Sequence, residues 1–269
     1  MAIDGSMAKN VGIAICTTLL VVLFTIRVVI VLRQIEAARK NNRSYSNMLN
    51  RKMNPVKTLV VLGSGGHTTE MLHLLSSINN YENYAPLYYI IASSDTTSQN
   101  RLEALNNSAA NAQEDNATSM GKNTIKLPPH CRIYKIPRAR EVGQSYLSSI
   151  FTTLQSILYT GHLILFRVQP DLLLMNGPGT CLPIALWTFI GRVLGLSLGN
   201  IVFVESFCRV KSLSLTGKIL RKLGIVDLFL VHWPELLRNC SDGKNGGRRE
   251  EGIVLVDCFM KHDADDDMK

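Results

Sequence analysis

Cysteine is sparse and scattered in this chain. Six cysteines stand at positions 16, 131, 181, 208, 240 and 258 with no CxxC pair, one of them inside an apolar segment, so neither a zinc site nor a disulfide framework is suggested. A reducing compartment is the simpler reading. There is no GK[ST] of a P-loop, and a GxGxxG fingerprint lacks its third glycine because Thr69 follows Thr68 there. Both absences weaken a dinucleotide-binding or kinase-type reading. No DxD motif, no His/Cys ligand cluster and no internal repeat falls in the region expected to fold. Acidic residues are outnumbered, 21 against 29 basic, giving a net charge of +8. Such a balance suits a protein near anionic lipid headgroups or phosphorylated ligands, and equally a solvated basic surface. Nucleic acid is not among the expected partners.

What is present is concentrated first in residues 57–70, KTLVVLGSGGHTTE, where an apolar β run empties into a glycine-rich turn, a histidine and then a helix. Without side chains at Gly63, Gly65 and Gly66, flanking Ser64, the backbone turns tightly and brings N–H groups close to an anion. The following helix aims the positive end of its dipole there, with Thr68 just before it as a further candidate contact to a phosphate or sugar. The alternative is a purely structural tight turn. His67 stands where the phosphate would be, and a side chain at that mouth can take a proton from a sugar hydroxyl; a hydrogen-bonded structural histidine is the other reading. The other five histidines have no motif context and receive no role.

Val11 to Leu32 is almost wholly apolar and, at about 1.5 Å per residue, long enough to cross a bilayer core of roughly 30 Å. Arg27 interrupts it near one end, where it can snorkel to the headgroups. A signal peptide has a shorter apolar core and a small-residue cleavage site, whereas this run gives way to RQIEAARKNNR, so a membrane anchor is expected. Lys9 stands nearly alone before the span, while Arg33, Arg39, Lys40, Arg43, Arg51 and Lys52 follow it. That asymmetry places residues 1–10 in the lumen and the main domain on the cytoplasmic face. Residues 33–55 read as a basic juxtamembrane linker.

Beyond residue 56 the pattern is that of an α/β protein with a doubly wound parallel sheet, extending to residue 236. Near-continuous apolar runs, as expected of strands covered on both faces, are Thr58–Leu62, Leu87–Ala92, Arg132–Ile136, Leu172–Met175, Ile201–Val204 and Leu228–Val231. Helices are expected over Thr69–Ile78, Gln99–Leu105, Ser145–Val168, Leu182–Leu194 and Thr216–Leu223, with Gly195 and Gly224 as stops. Ser145–Val168 is also the best candidate to lie in a membrane interface. Residues 106–123 are small and polar without an apolar face and are expected to form a disordered insertion.

Three further loops lead from strand ends towards the crevice where ligands bind in open α/β sheets. In NGPGT, Asn176 precedes Gly177 and Gly179, which present backbone N–H groups at a helix start with Thr180 as N-cap: an anion or sugar contact, or a well-formed turn. In VESFCRV, Glu205 serves as an acceptor or base and Arg209 as a phosphate ligand, against an ordinary surface ion pair. In PRAREVGQS, Arg138 and Arg140 can clamp phosphate and Glu141 can orient one of them, against a basic face towards lipid.

The motifs GSGGHTTEM, PRAREVGQS, DLLLMNGPGT, VFVESFCRV and DLFLVHWPEL, in that order behind one anchor, resemble the membrane-anchor subunit of the eukaryotic UDP-N-acetylglucosamine transferase of the dolichol pathway. That family is similar to the N-terminal, acceptor-side half of the bacterial MurG-type GT-B enzymes, a Rossmann-like sheet split from its other half. The resemblance implies a heterodimer with a soluble subunit holding most of the UDP-sugar site. It implies transfer of N-acetylglucosamine to dolichyl-diphosphate-N-acetylglucosamine at the endoplasmic reticulum membrane, next to the phosphotransferase that precedes it in the pathway. It also implies no metal or other cofactor, helix dipoles and basic groups neutralising the leaving diphosphate. Within this resemblance His67 and Glu205 are the catalytic candidates. A membrane scaffold that has kept the fold without ligand binding is the alternative; a self-sufficient enzyme would need a second sheet on the order of 100 or more residues. After Leu236 the chain departs from the family, with Ile253–Val256 as a candidate docking segment for the partner and an acidic stretch at Asp263–Asp267 that is not read as a metal site.

The orientation carries a direct test. Sequons begin at Asn42, Asn106, Asn116 and Asn239, and on a cytoplasmic face none should carry a glycan. Digestion with peptide N-glycosidase is expected to leave the electrophoretic mobility of the cell-expressed chain unchanged; a shift would invert the topology.

Overall fold

The computed structural model describes residues 5–40, 55–76, 78, 81–111, 131–137, 146–177, 179–241 and 253–255. A long N-terminal helix, α1 (Gly5–Lys40), precedes the sheet. The elements that follow are β1 (Thr58–Val61), α2 (Gly66–Ser76), β2 (Leu87–Ala92), α3 (Thr96–Asn111), β3 (Arg132–Ile136) and α4 (Tyr146–His162). Next come β4 (Leu172–Asn176), α5 (Cys181–Val193), β5 (Asn200–Val204), α6 (Leu215–Leu223), β6 (Leu228–Val231), α7 (Pro234–Ser241) and β7 (Ile253–Leu255).

All seven strands are parallel, in the order β3-β2-β1-β4-β5-β6-β7. Alternate residues along each strand feed two separate cores, which is why the runs read as continuously apolar. Val60, Leu62, Tyr89 and Ile91 pack with Met71, Leu72 and Leu75 of α2 and Leu102 of α3. On the other face Leu59, Val61, Leu173, Met175 and Phe203 pack with Ile184 and Ala185 of α5, Leu220 of α6 and Leu236 of α7. The doubly wound parallel sheet is therefore the observed architecture. Gly195 and Gly224 both take left-handed backbone, φ +75° and +69°, and end α5 and α6 as expected.

Chain order reverses between β1 and β4, which pair from Thr58↔Leu172 to Val61↔Met175. The loops leaving their carboxyl ends diverge to helices on opposite faces and leave a crevice between them.

Several local expectations are corrected. The anchor helix does not give way to a linker at Arg33 but runs through Lys40. Local polarity hides the reason, which is tertiary: Val31 and Ile35 are 1% and 0% exposed against Val193, with Val28 and Phe189 beside them. Arg39 donates to the carbonyls of Val226 and Gly224, so the helix end is pinned to the sheet domain. Arg27, expected to reach headgroups, instead donates from Nε to the Val193 carbonyl at 3.2 Å. Residues 106–111 of the expected insertion extend α3, while 112–123 lie outside the described residues. The helix expected over Ser145–Val168 is α-helical only to His162 and continues as a wider π-helical turn over Leu163–Val168, closed by Gln169 at φ 46°. Of Ile253–Val256, the candidate docking segment, Ile253–Leu255 pairs in parallel with β6 as the outermost strand, and Val256 lies outside the described residues. Asp263–Asp267 lies outside the described residues.

Truncating Ile35 tests the docking of α1. Ile35→Ala is expected to cost about 2–4 kcal/mol, read as a lowered unfolding temperature of the detergent-solubilised chain. Val21→Ala, at a position 65% exposed in the same helix, should stay within about 0.5 kcal/mol of the parent.

Candidate functional site

The turn after β1 opens the crevice. Gly65 has φ +65°, a conformation a side chain would strain, and Gly66 begins α2. Ser64, Gly65 and Gly66 are exposed, and a β-carbon built on either glycine meets nothing within 4 Å. A ligand can therefore approach this backbone closely, where the first amides of α2 have no acceptor within the helix. Gly63 lies below, buried, and its carbonyl accepts from Thr68 and Ser98. Thr68, expected to face a ligand, is wholly buried and shares a 2.6 Å hydrogen bond with Ser98, so it braces the turn from beneath.

Across the crevice, β4 ends in Asn176 and Gly177. Gly177 takes φ +78°, and a β-carbon there would overlap the imidazole of His67, so only glycine allows the ring to lie over this peptide. Gly179 is exposed with open space above it. Thr180 precedes α5 but has helical backbone and makes no side-chain cap, unlike the expected N-cap. Ser214 caps α6 instead, accepting from the Gly217 amide at 3.0 Å.

His67 keeps 33% of its side chain exposed. Its Nδ1 lies 3.1 Å from Asn176 Oδ1 and 3.7 Å from Glu70 Oε2. Asn176 Nδ2 donates to Glu70 Oε2 at 2.8 Å, and the Ser206 hydroxyl donates to Glu70 Oε1 at 3.0 Å. Glu70 and Ser206 are the members of this constellation that sequence reading missed. The signal for Glu70 was its spacing, three residues after His67 on one helix face. Nothing local marks Ser206, which arrives from the far end of β5.

The electrostatics follow from these contacts. The neighbouring Glu70 carboxylate is the main influence holding the His67 pKa above its ordinary value, opposed by burial and aided by Asn176 and Glu205. Burial alone would raise Glu70, but its bonds with His67, Asn176 and Ser206 outweigh that and hold it at about 2. Glu70 is thus an anion at neutral pH.

Glu205 is not presented to the crevice as an acceptor or base. It is 0% exposed, with Oε1 accepting from the Ser206 amide at 3.2 Å and Oε2 from the Ser214 amide and hydroxyl at 3.0 and 3.1 Å. Burial raises its pKa, opposed by Ser214, Ser206 and the charge of Arg209. A carboxylate so engaged staples the loop after β5 and sets Ser206 in place for Glu70. Arg209 is exposed on that loop. Arg138, Arg140 and Glu141 lie outside the described residues. The structure therefore brings together Gly63, Ser64, Gly65, Gly66, His67, Asn176 and Gly177. Chemically this is a partly exposed imidazole, able to exchange a proton, beside open backbone amides.

Gly177→Ala separates seating from folding. The substitution is expected to cost about 1–2 kcal/mol of stability through its backbone, while displacing His67 and abolishing whatever activity depends on that ring; Gly179→Ala should leave stability unchanged. Thermal unfolding of both variants checks the difference.

Comparison with known proteins identifies the family. The family model described as "Oligosaccharide biosynthesis protein Alg14 like" matches residues 58–248. The chain is 46% identical over 181 residues to the mouse protein named UDP-N-acetylglucosamine transferase subunit ALG14, covering 67% of this chain and 77% of that one. The human protein of that name is 45% identical over 178 residues, 66% and 76% of the two chains. The Schizosaccharomyces pombe protein is 42% identical over 180 residues, again 66% and 76%. Among solved structures, MurG of Acinetobacter baumannii aligns with a TM-score of 0.45 and 13% identity over 74% of this chain and 44% of that chain. The family match runs from the first residue of β1 past the end of α7 and so takes in every strand that frames the crevice: the chain belongs to the Alg14 family of oligosaccharide biosynthesis proteins.

Proposed function

We propose that this chain is the membrane-anchored, acceptor-side subunit of a two-chain transferase that moves N-acetylglucosamine from UDP-N-acetylglucosamine to dolichyl-diphosphate-N-acetylglucosamine. The observation that carries the proposal is the 46% identity, over 181 residues, to a relative named as a UDP-N-acetylglucosamine transferase subunit. On this reading a soluble partner subunit supplies most of the UDP-sugar site, and no metal or other cofactor is required. The exposed turn at Ser64–Gly66 meets the acceptor diphosphate, with Arg209 and the basic segment at Arg138 and Arg140 as further phosphate contacts. His67 takes the proton of the attacking hydroxyl as its oxygen bonds to the anomeric carbon, and UDP departs with the electrons of the broken carbon–oxygen bond.

The membrane is that of the endoplasmic reticulum, crossed once, with the sheet on the cytoplasmic side beside the preceding phosphotransferase of the pathway. The span is supported by α1, the one helix among the described residues long and apolar enough to cross a bilayer. Leu154, Leu158 and Tyr159 of α4, Phe166 of its π-helical end, and Leu194, Leu196 and Leu198 after α5 are all exposed. This apolar surface suits the lipid boundary next to the docked anchor.

Transfer of labelled N-acetylglucosamine to dolichyl-diphosphate-N-acetylglucosamine is to be measured in membranes containing this chain, with and without the co-expressed partner. Transfer is expected only with both chains. Gly66→Ala, whose methyl meets nothing among the described residues, should keep the unfolding temperature yet reduce transfer roughly tenfold or more by crowding the phosphate. Full activity of that variant in the complex would favour the scaffold reading.

A further inference from the structure

Which nitrogen of His67 accepts a proton depends on which already carries one, and the hydrogen bonds beneath the ring decide it. An ionised carboxylate only accepts. Glu70 receives the Ser206 hydroxyl on Oε1 and the Asn176 Nδ2 group on Oε2. With Nδ2 committed to Glu70, the Asn176 amide must turn its oxygen to His67 Nδ1, 3.1 Å away. The flipped amide would set two acceptors against each other at 2.8 Å, so a charged Glu70 forbids it. An acceptor facing Nδ1 requires the proton to be on Nδ1. The other nitrogen, Nε2, then holds the lone pair, and among the described residues no hydrogen bond to it is recorded.

We propose that Glu70 is a positioning residue that, acting through Asn176, holds His67 in its Nδ1–H tautomer and so presents Nε2 to the attacking sugar hydroxyl. The proposal rests on the transfer reading above. In the step, the hydroxyl proton passes to Nε2, the hydroxyl oxygen bonds to the anomeric carbon, and the carbon–oxygen bond to the diphosphate breaks with its electron pair leaving on UDP. The imidazolium so formed has the Glu70 carboxylate 3.7 Å from Nδ1. Among the described residues the charges acting on the ring are Glu70 from its own helix and Glu205 from the loop after β5, both negative and both favouring the protonated form. Ser206, fixed by Glu205 on its amide side, keeps Glu70 turned towards Asn176. The chain of contact therefore runs from Glu205 through Ser206, Glu70 and Asn176 to His67, and joins three strand ends.

The sign of the pH dependence follows. A base works when neutral, and because the His67 pKa is raised, the acid limb of transfer should lie above the ordinary histidine value of 6.5. Removing the Glu70 charge should move that limb to lower pH.

The test uses the full chain in membranes with its partner and reads His67 in two ways. Diethyl pyrocarbonate modifies neutral imidazole, so the pH midpoint of carbethoxylation at His67, followed by mass spectrometry with exposed His73 as internal reference, reports His67 directly without any turnover. Transfer kinetics across pH give the second reading. In Glu70→Gln the midpoint is expected to fall, the acid limb to fall with it, and kcat to drop roughly tenfold or more with the acceptor KM little changed. Glu70→Asp, which keeps the charge, should recover part of both shifts. If Glu70→Gln does not fold, Ser206→Ala loosens the same carboxylate and should shift the midpoint in the same direction by less. An unmoved midpoint in these variants overturns the proposal whatever the transfer assay gives. A shifted midpoint in a complex whose parent chain transfers nothing would sink the transfer reading and leave the tautomer assignment standing.

Discussion

The pairing of β1 with β4 is the constraint on which the site depends. Two strands 114 residues apart in the chain, counted from Thr58 to Leu172, lie side by side, so the turn bearing His67 and the turn bearing Asn176 and Gly177 open together. In a parallel sheet no short connection can make such neighbours, because each crossover needs a helix to return the chain to the same edge. The intervening βα units are laid out on the β2 and β3 side, and the later ones on the β5 and β6 side. What results is a cleft whose two walls belong to different halves of the sequence. The Asn176–Glu70 hydrogen bond closes across it at 2.8 Å.

Much of the sheet was legible because burial on both faces leaves a local imprint. Leu87–Ala92, Arg132–Ile136 and Leu228–Val231 have the ends expected from their apolar runs, and the other three expected strands differ by a residue, while β7 was not expected as a strand. Gly195 and Gly224 were legible as stops because left-handed backbone is a local requirement. His67 and the glycines around it stood out for the same reason. The roles of Glu205 and Thr68 did not, since an acidic or hydroxyl side chain next to a strand end reads identically whether it faces solvent or is sealed under a loop. Glu205 became a staple because Ser214, nine residues on, folds back over it. Arg33–Lys40 looked like a linker because its partner surface, around Val193 and Val226, lies more than 150 residues away. Glu70 was within the quoted motif, yet its importance depends on Ser206 and Asn176, neither of which is near it in sequence.

Glycine serves two opposite ends at the site. At Gly65 and Gly66 the missing side chain leaves space that nothing among the described residues fills, as a ligand-facing turn requires. At Gly177 the space is already taken by the His67 ring. The first pair permits an approach from outside, the second fixes a group within. A sequence shows the same letter in both cases, and only the neighbours across the cleft separate them. The positive φ at Gly65 and Gly177 means that both positions also carry a backbone demand, so the two uses cannot be exchanged without strain.

One helix connects the cleft to the long N-terminal apolar helix. α5 starts four residues after Gly177 and ends at Val193, the residue against which Val31 and Ile35 of the anchor pack and whose carbonyl receives Arg27. Its 13 residues span roughly 20 Å at the α-helical rise. A flexible linker after the span would let the sheet domain sample many heights above the bilayer. Docking through Val31, Ile35 and Arg39 removes that freedom, and the rigid length of α5 then sets how far the His67 turn stands from the level of Arg27. On the proposed function, in which the acceptor diphosphate is held at the depth of its lipid, a site at fixed height would meet the reacting hydroxyl without a search perpendicular to the membrane. The same restriction lowers the entropy that must be lost on reaching the reactive geometry. The N-terminal helix and the cleft bearing His67 thus belong to one mechanical unit, with α5 as its strut.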